Sequence, residues 1–335
     1  MPSQKRIPIL AFILPALFFF TGCDGQTIEN SGSLQFIQAI SLPDITGRID
    51  HLSFDSRNEI LFVAALGNNT VEVVDLKSKK IIHSVKNLSE PQGIVFLPAK
   101  KELAIANGGT GAFDLFDSAF HKTKTISLGN DADNVRYDDS SDKIYVGYGE
   151  GGIAVINANN FSLLNQIRFS GHPESFQIDK SMNRLFVNDP DEKQIDVIDL
   201  SKNKVTAQWK LNNEGGNFPM ALDESHHRLF IGCRHPSKLL VFDTQTGKVV
   251  SSVEIDGDAD DVFYDSSKKE IYASCGSGYI DVISQTDPDN YKKEGRQTSA
   301  PGARTSLFIS KLDLLIVAAP ARMNTNAQLL VYKIK

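Results

Sequence analysis

The stretch GDADDVFYD at residues 257–265 nearly repeats NDADNVRYD at residues 130–138. In both, a polar stretch leads into a short apolar run that ends in aspartate, and a polar turn follows. Weaker copies recur along the chain, and the residue that ends the first run marks each copy. The markers stand 40 to 45 residues apart, a fixed period that indicates a repeat fold. They are Asp55, Pro98, Asp138, Asp179, Asp223, Asp265 and Ser310.

Each repeat holds four short runs typical of β-strands. After the two runs around the marker comes an alternating segment such as TVEVVDL, and then a fourth run such as KIIHSV. Short β-branched and aromatic runs separated by turn residues predict antiparallel strands. Four strands in about 42 residues fit one blade of a β-propeller, so the sequence predicts an all-β, seven-bladed propeller.

The two ends of the repeat region predict how the ring closes. The last repeat has only three strand runs, the third being AQLLVYKI. The missing fourth run is found at the other end of the region, as LQFIQAISL at residues 34–42. An N-terminal strand in the last blade would remove two open sheet edges. Tandem hairpins in an open stack are the alternative, and they would leave this segment unpaired.

The stretches LFVAALGNNTVEVVD and KLLVFDTQTGKVV, together with the aspartate-marked repeats, resemble the YVTN-repeat (YncE-like) β-propellers of bacterial envelopes. The resemblance covers roughly residues 34–335. It implies the propeller fold and an envelope location, but it assigns no activity.

The first residues predict export. Lys5 and Arg6 precede an uncharged apolar run from Ile7 to Phe20 that is too short to span a bilayer comfortably. The following Thr-Gly-Cys resembles the lipobox of bacterial lipoproteins, in which the cysteine, here Cys23, is lipidated; Phe20 departs from the usual leucine. The alternative is an ordinary cleaved signal with a chance cysteine.

These features divide the chain into a lipoprotein signal peptide at residues 1–22, a short tether at 23–33 and the propeller at 34–335. We expect a lipid-anchored protein of the bacterial cell envelope that faces the periplasm or the exterior. The net charge of −6 and the lack of a basic patch argue against nucleic acid as a partner. No Cys-x-x-Cys-His motif is present, which excludes c-type haem.

Carboxylates recur where the inner strand of a repeat begins, and these positions should meet at the mouth of the central channel. Crowded carboxylates repel one another unless a cation, a proton or an arginine lies among them. Hard oxygen ligands favour Ca²⁺ or Mg²⁺. The alternative is that each acid caps loop amides or pairs with the neighbouring blade. The candidate metal ligands are Asp50, Asp133, Glu174 and Asp260.

Other polar residues are expected on the same face of the ring. An anionic small molecule could be bound there, and a histidine could act as a general base, although a lone loop histidine is usually only solvated. The candidate ligand-binding residues are Arg48, Asp50, Asn107, Tyr148, Arg234 and His235. The catalytic candidates are His51, His172, Glu174 and Arg304.

Three functions remain open at this point. The first is a non-enzymatic module that binds a small molecule or an envelope protein through its channel mouth. The second is a lactonase-like hydrolase with its site at the same mouth. The third is a redox enzyme, although Trp209 is the only tryptophan, which fits tryptophan-docked quinoproteins poorly. Since no catalytic motif orders the candidate residues, the sequence favours binding.

Overall fold

The computed structural model describes residues 32–335. The predicted signal peptide and the predicted lipidation site Cys23 lie outside these residues. Residues 32–335 form seven four-stranded antiparallel sheets, which confirms the seven-bladed propeller. Within the same residues, no helix combines the length and hydropathy that a membrane span requires.

The first strand of each repeat is the innermost strand of its blade, and the inner strands of neighbouring blades adjoin around the channel. Because successive side chains of a strand point to opposite faces, each inner strand presents residues both to the channel and to the blade interior. The inner strands are β2 (Leu52–Asp55), β6 (Pro91–Leu97), β10 (Ala132–Asp138), β14 (Phe176–Asp179), β18 (Gly215–Asp223), β22 (Ala259–Asp265) and β26 (Thr305–Ile309).

The second and third strands of each blade are buried on both faces and supply most of the core. The second strands are β3 (Ile60–Ala65), β7 (Glu102–Asn107), β11 (Lys143–Tyr148), β15 (Arg184–Asp189), β19 (Arg228–His235), β23 (Glu270–Cys275) and β27 (Leu314–Ala319). The third strands are β4 (Thr70–Asp75), β8 (Ala112–Phe116), β12 (Gly152–Asn157), β16 (Gln194–Asp199), β20 (Ser237–Asp243), β24 (Tyr279–Asp287) and β28 (Ala327–Ile334).

The fourth strands form the outer rim and alternate between exposed and packed side chains. Short 3₁₀ turns at Leu66–Asn68 and Ser310–Leu312 connect strands. The outer strands are β5 (Lys80–Val85), β9 (Lys122–Ser127), β13 (Leu163–Arg168), β17 (Lys204–Lys210), β21 (Lys248–Glu254), β25 (Asn290–Thr298) and β1 (Leu34–Leu42).

The core lies between blades. Leu115 of one blade and Ile144 of the next belong to a single buried cluster, and both are fully inaccessible to solvent. Burying an aliphatic side chain of this size contributes about 1.5–3 kcal/mol. Each blade therefore depends on its neighbours for stability, and the ring must close to cover its last interface.

Strand β1 closes the ring, as the sequence predicts. It pairs antiparallel with β28, with Leu34 opposite Ile334 and Leu42 opposite Ala327. The side chains of Ile40 and Leu42 are buried against the first blade. The N-terminal strand thus joins the last blade and packs on the first.

The aspartate markers terminate the inner strands. Each buried carboxylate accepts a hydrogen bond from a backbone N–H two or three residues later, which fixes the turn into the second strand. The Oδ1 atom of Asp55 accepts from Arg57 N at 2.9 Å, and that of Asp265 accepts from Ser267 N at 2.8 Å. These turns define one face of the ring, here called the turn face. The inner strands begin at the opposite face, here called the mouth face.

Candidate functional site

The four acids that the sequence predicts at the channel mouth lie close together in the structure, as their equivalent positions in the repeats indicate. Asp50 and Glu174 lie just before β2 and β14, and Asp133 and Asp260 lie within β10 and β22. All four line one pocket of about 10 Å³ at the start of the channel. A space of this size holds about one water molecule or ion.

Arginines neutralise one side of this pocket. The Nε atom of Arg304 lies 2.9 Å from Oδ2 of Asp260, and Arg304 Nη1 lies 3.0 Å from Oδ1 of Asp258. Arg234 pairs with the same two aspartates and stacks over the ring of Phe218 at 3.9 Å. The carboxylate of Asp260 is therefore held between two guanidinium groups.

A third arginine lies beside Asp50. The Nη2 atom of Arg48 is 2.7 Å from Oδ2 of Asp50, and the Asp50 side chain is 2% exposed. The Nε2 atom of His51 is 3.6 Å from Oδ1 of Asp50 and 3.9 Å from Oδ1 of Asp133. Burial lowers the pKa of His51, but the charges of Asp50 and Asp261 outweigh it, so the pKa is raised.

The opposite side of the pocket has histidine but no arginine partner. The Nε2 atom of His172 lies 3.7 Å from Oδ2 of Asp133, and His172 Nδ1 donates to the carbonyl oxygen of Gly149 at 2.8 Å. The Oδ1 atom of Asp133 is buried without a hydrogen-bond partner. Among residues 32–335, no hydrogen bond or ion pair holds the Glu174 carboxyl. Asp133, His172 and Glu174 could together hold a metal ion.

The direction of the pKa shifts in this group indicates that the pocket favours positive charge. Burial, and then the charge of Asp133, raises the pKa of Glu174. Burial opposes protonation of His172, but Asp133 and Glu174 outweigh it and raise the His172 pKa as well. An acid and a base whose pKa values both rise favour bound protons or another cation.

A larger chamber lies below the mouth pocket, and His51 lines both spaces. The chamber has a volume of about 230 Å³. Apolar residues form part of its wall, and several polar side chains face it from different blades. The polar side chains are His51, Arg136, Gln177, Asp261 and Ser306.

Arg136 is the main cation of the chamber. Its Nη1 atom donates to Val135 O at 2.9 Å, and its Nη2 atom donates to Ser175 Oγ at 3.3 Å. Within residues 32–335, no carboxylate lies within 4.0 Å of its guanidinium nitrogens. Burial lowers the pKa of Arg136, with Asp261 and Asp133 opposing from a distance.

Asp261 is the acid of the chamber. Its Oδ2 atom accepts a hydrogen bond from Ser306 N at 2.7 Å. Burial raises the pKa of Asp261 to about 7, although the charge of His51 opposes this. Near neutral pH, Asp261 is therefore only partly charged, and it leaves the charge of Arg136 incompletely balanced.

Four of the six candidate ligand-binding residues line neither of the two spaces. Asn107 is 1% exposed, and its side chain donates to Asp114 Oδ2 at 3.1 Å within its own blade. Tyr148 is buried in the core cluster between two blades. His235 is exposed on the mouth face beside Arg234. The repeats thus predict the position of the four acids at the channel mouth better than they predict the surroundings of the residues at the ends of the second strands.

Arg136 is the chamber residue that the sequence analysis missed. The sequence does contain a signal for it, because Arg136 stands two positions before its marker. The same position in the other six repeats is uncharged. It is occupied there by Ser53, Phe96, Gln177, Ala221, Phe263 and Phe308.

No family model matches the chain. The sequence is 27% identical over 153 residues to "Uncharacterized protein YncE" of Salmonella typhi. This match covers 44% of the chain and 43% of that protein, so the chain aligns with less than half the length of this relative. The name of that relative states no activity.

Solved structures of very different sequence share the fold. A chain in a crystal structure of the mitotic checkpoint complex matches with a TM-score of 0.75 at 14% identity, covering 98% of this chain and 99% of that one. A chain of the Kuenenia stuttgartiensis hydrazine synthase matches with a TM-score of 0.75 at 14% identity, covering 87% of this chain and 97% of that one. At this identity the similarity concerns the fold alone.

Proposed function

We propose that this β-propeller, which is similar to YncE over part of its length, is an envelope-anchored binding module for a small organic carboxylate. The ligand would occupy the chamber inside the ring and would be recognised from the mouth face. An envelope protein that docks on the same face is the other partner that the sequence analysis predicted.

The observation that carries this proposal is the free guanidinium edge of Arg136 in a chamber of about 230 Å³. Two of its N–H groups have partners in the protein, and no carboxylate of residues 32–335 pairs with it. A guanidinium group binds a carboxylate through two parallel hydrogen bonds. Because a partly buried charge is costly without an opposite charge beside it, a ligand carboxylate would relieve this cost.

The walls of the chamber define the rest of the ligand. Their apolar side chains favour a hydrocarbon or aromatic body, while the volume lies below the range of about 300–1,000 Å³ that is usual for drug-sized ligands. We therefore expect a small carboxylate with a compact apolar part. The apolar wall residues are Leu52, Ile94, Val135, Phe263 and Leu307.

The test is calorimetric titration of the full chain with butyrate and benzoate, each compared with its uncharged amide. We expect the acids to bind and the amides to bind weakly or not at all. Arg136→Gln should lower the affinity for the acids about 10- to 100-fold. The matched control is Arg168→Gln, since Arg168 stacks over Tyr148 at 5.0 Å and does not line the chamber.

Equal binding of acids and amides, or equal loss in both variants, would refute recognition of a carboxylate by Arg136. If neither acid binds to the wild-type chain, the proposed ligand class is wrong, and the search should turn to partner proteins at the mouth face.

The envelope anchor is a separate part of the proposal and rests on the sequence around Cys23. Lipidation of Cys23 would leave the chain in the membrane fraction and allow it to incorporate radiolabelled palmitate. The Cys23→Ser variant should lose both properties. A chain that stays soluble, or that remains in the membrane after this substitution, would contradict lipidation at Cys23.

The lactonase-like alternative is favoured by one observation. The Glu174 carboxyl lies at the mouth without a partner among residues 32–335, and its pKa is raised, as expected of a general acid or base. His51 and His172 lie near it, whereas Arg304 is engaged by Asp258 and Asp260. Hydrolysis of γ-butyrolactone or an acyl-homoserine lactone that is abolished in Glu174→Gln would support this alternative.

A further inference from the structure

We infer that Asp133, His172 and Glu174 form a site for a divalent transition-metal ion at the channel mouth. This site is distinct from the carboxylate chamber, and either could exist without the other. It also differs from the Ca²⁺ or Mg²⁺ site that the sequence predicted. The site lacks Asp50 and Asp260, and it includes His172.

The three side chains are close enough to share one ion. Each offers a ligand atom, and these three atoms all lie within 4.8 Å of one another. Zinc lies about 2.0–2.2 Å from nitrogen and oxygen ligands, so two ligands of one ion stand roughly 3–4 Å apart. The 3.7 Å between His172 Nε2 and Asp133 Oδ2 is already in this range. Small side-chain rotations would complete the site.

The orientation of His172 supports a metal. Its Nδ1 atom donates to the carbonyl oxygen of Gly149 at 2.8 Å, with Asp131 Oδ2 3.6 Å away. This hydrogen bond places the proton of the neutral ring on Nδ1 and leaves the lone pair of Nε2 directed towards Asp133. A histidine that binds a metal commonly donates its other nitrogen to a backbone carbonyl or a carboxylate in this way.

Asp133 provides an independent observation that points to a ligand. Its side chain is 9% exposed, it lines the mouth pocket, and its Oδ1 atom has no hydrogen-bond partner. A buried carboxylate oxygen without a donor is costly, and a bound cation would remove that cost.

The arginines explain why Asp50 and Asp260 are not part of this site. Arg48 lies 2.7 Å from Asp50, and both Arg234 and Arg304 engage Asp260. A guanidinium group in these positions repels a cation and occupies the oxygen atoms that the cation would need. The attraction for a metal is therefore confined to the half of the pocket that lacks arginine.

The donor set indicates the class of metal. One imidazole nitrogen and two carboxylates suit Zn²⁺, Mn²⁺ or a similar ion, whereas Ca²⁺ and Mg²⁺ prefer oxygen ligands only. Three protein ligands leave a coordination position for water or another small molecule. The pocket of about 10 Å³ has room for one such ion or its water.

The test uses the full chain stripped with EDTA and titrated with Zn²⁺, and separately with Ca²⁺, by calorimetry. We expect one equivalent of Zn²⁺ to bind with at least tenfold preference over Ca²⁺. His172→Gln and Asp133→Asn should each lower the Zn²⁺ affinity by at least 10- to 100-fold. The matched control is His121→Gln, because His121 also lies 3.5 Å from an aspartate, Asp117, but on an exposed loop.

A second measurement needs no variant and so does not depend on the folding of one. Pulsed electron paramagnetic resonance of the Mn²⁺-loaded wild-type chain should show a directly bound imidazole nitrogen. The inference is overturned by the absence of that nitrogen coupling, by equal affinity for Zn²⁺ and Ca²⁺, or by His172→Gln binding Zn²⁺ as tightly as His121→Gln.

Discussion

Arg304 and Asp260 form an ion pair at the channel mouth, with Arg304 Nε 2.9 Å from Asp260 Oδ2. The sequence analysis assigned them separate roles, one catalytic and one in metal binding. In the structure the two side chains pair with each other, and Arg234 adds a second cation to the same carboxylate. The mouth is therefore a network of paired charges on this side, whereas Asp133 and Glu174 on the other side have no arginine partner among residues 32–335.

We predict a measurable coupling between these two residues. Both side chains are mostly buried, so the pair should be worth about 1–2 kcal/mol in a double-mutant cycle of Arg304→Gln and Asp260→Asn, above the usual value for exposed pairs. Urea denaturation measures the four free energies of unfolding. The exposed pair Lys292–Glu294 is the control and should show a coupling below about 0.5 kcal/mol. Equal couplings would mean that the mouth pair is fully screened by water.

We predict that ring closure depends on one face of strand β1. Ile40 is 1% exposed, so Ile40→Ala should lower the free energy of unfolding by about 2–5 kcal/mol. Ile37 lies in the same strand and is 47% exposed, so Ile37→Ala should change it by less than about 0.5 kcal/mol. Urea denaturation of the two variants checks this. Similar effects at both positions would place β1 in a different register.

We predict that Asp261 makes stability fall as the pH rises. The folded chain keeps the proton on Asp261 up to about pH 7, whereas the unfolded chain releases it near pH 4. The folded state therefore binds more protons between these values, and the contribution of this group to stability declines across that window.

The variant Asp261→Asn should remove this decline. Because the side chain faces the channel, we expect a gain of about 1–3 kcal/mol at pH 8, less than full linkage would give, and little gain near pH 4. Urea denaturation at both pH values provides the comparison. Asp44→Asn, at an exposed turn position, is the control and should be neutral at both. A gain that is independent of pH would show that Asp261 does not titrate in this range.

We predict that the two propeller cysteines are inert in the folded protein. Cys233 and Cys275 are unpaired and fully buried, and burial raises the pKa of Cys233 to about 12. In the full chain carrying Cys23→Ser, a disulfide reagent such as DTNB should label neither thiol until denaturant is added. Rapid labelling under native conditions would reveal an opening of the blade around that cysteine.

The sequence could predict the fold because its information is local. An aspartate such as Asp55 or Asp265 fixes the turn after an inner strand through hydrogen bonds to residues that follow at once. The seven turns set the period, and the unpaired run at residues 34–42 supplies the closure. Equivalent positions in the repeats lie at the same height in the ring, so the grouping of the four acids at the channel mouth could also be predicted.

The chemistry of the site could not be predicted in the same way. The division of the four acids depends on arginines such as Arg234, at the end of β19, which reaches Asp260 of the next blade. The sequence repeats do not give the direction of such a side chain. The orientation of His172 depends on the carbonyl group of Gly149 in the preceding blade. The role of Arg136 depends on the lack of a carboxylate partner among residues 32–335, which only the packed ring reveals.

The register of β1 has a consequence for how the molecule would stand on a membrane. Leu34, where the strand begins, pairs with Ile334 at the turn face, whereas Leu42 reaches the mouth face. If Cys23 is lipidated, as proposed above, the tether would join the ring at the turn face. The channel mouth would then face away from the bilayer, and a ligand would reach the chamber from the aqueous phase.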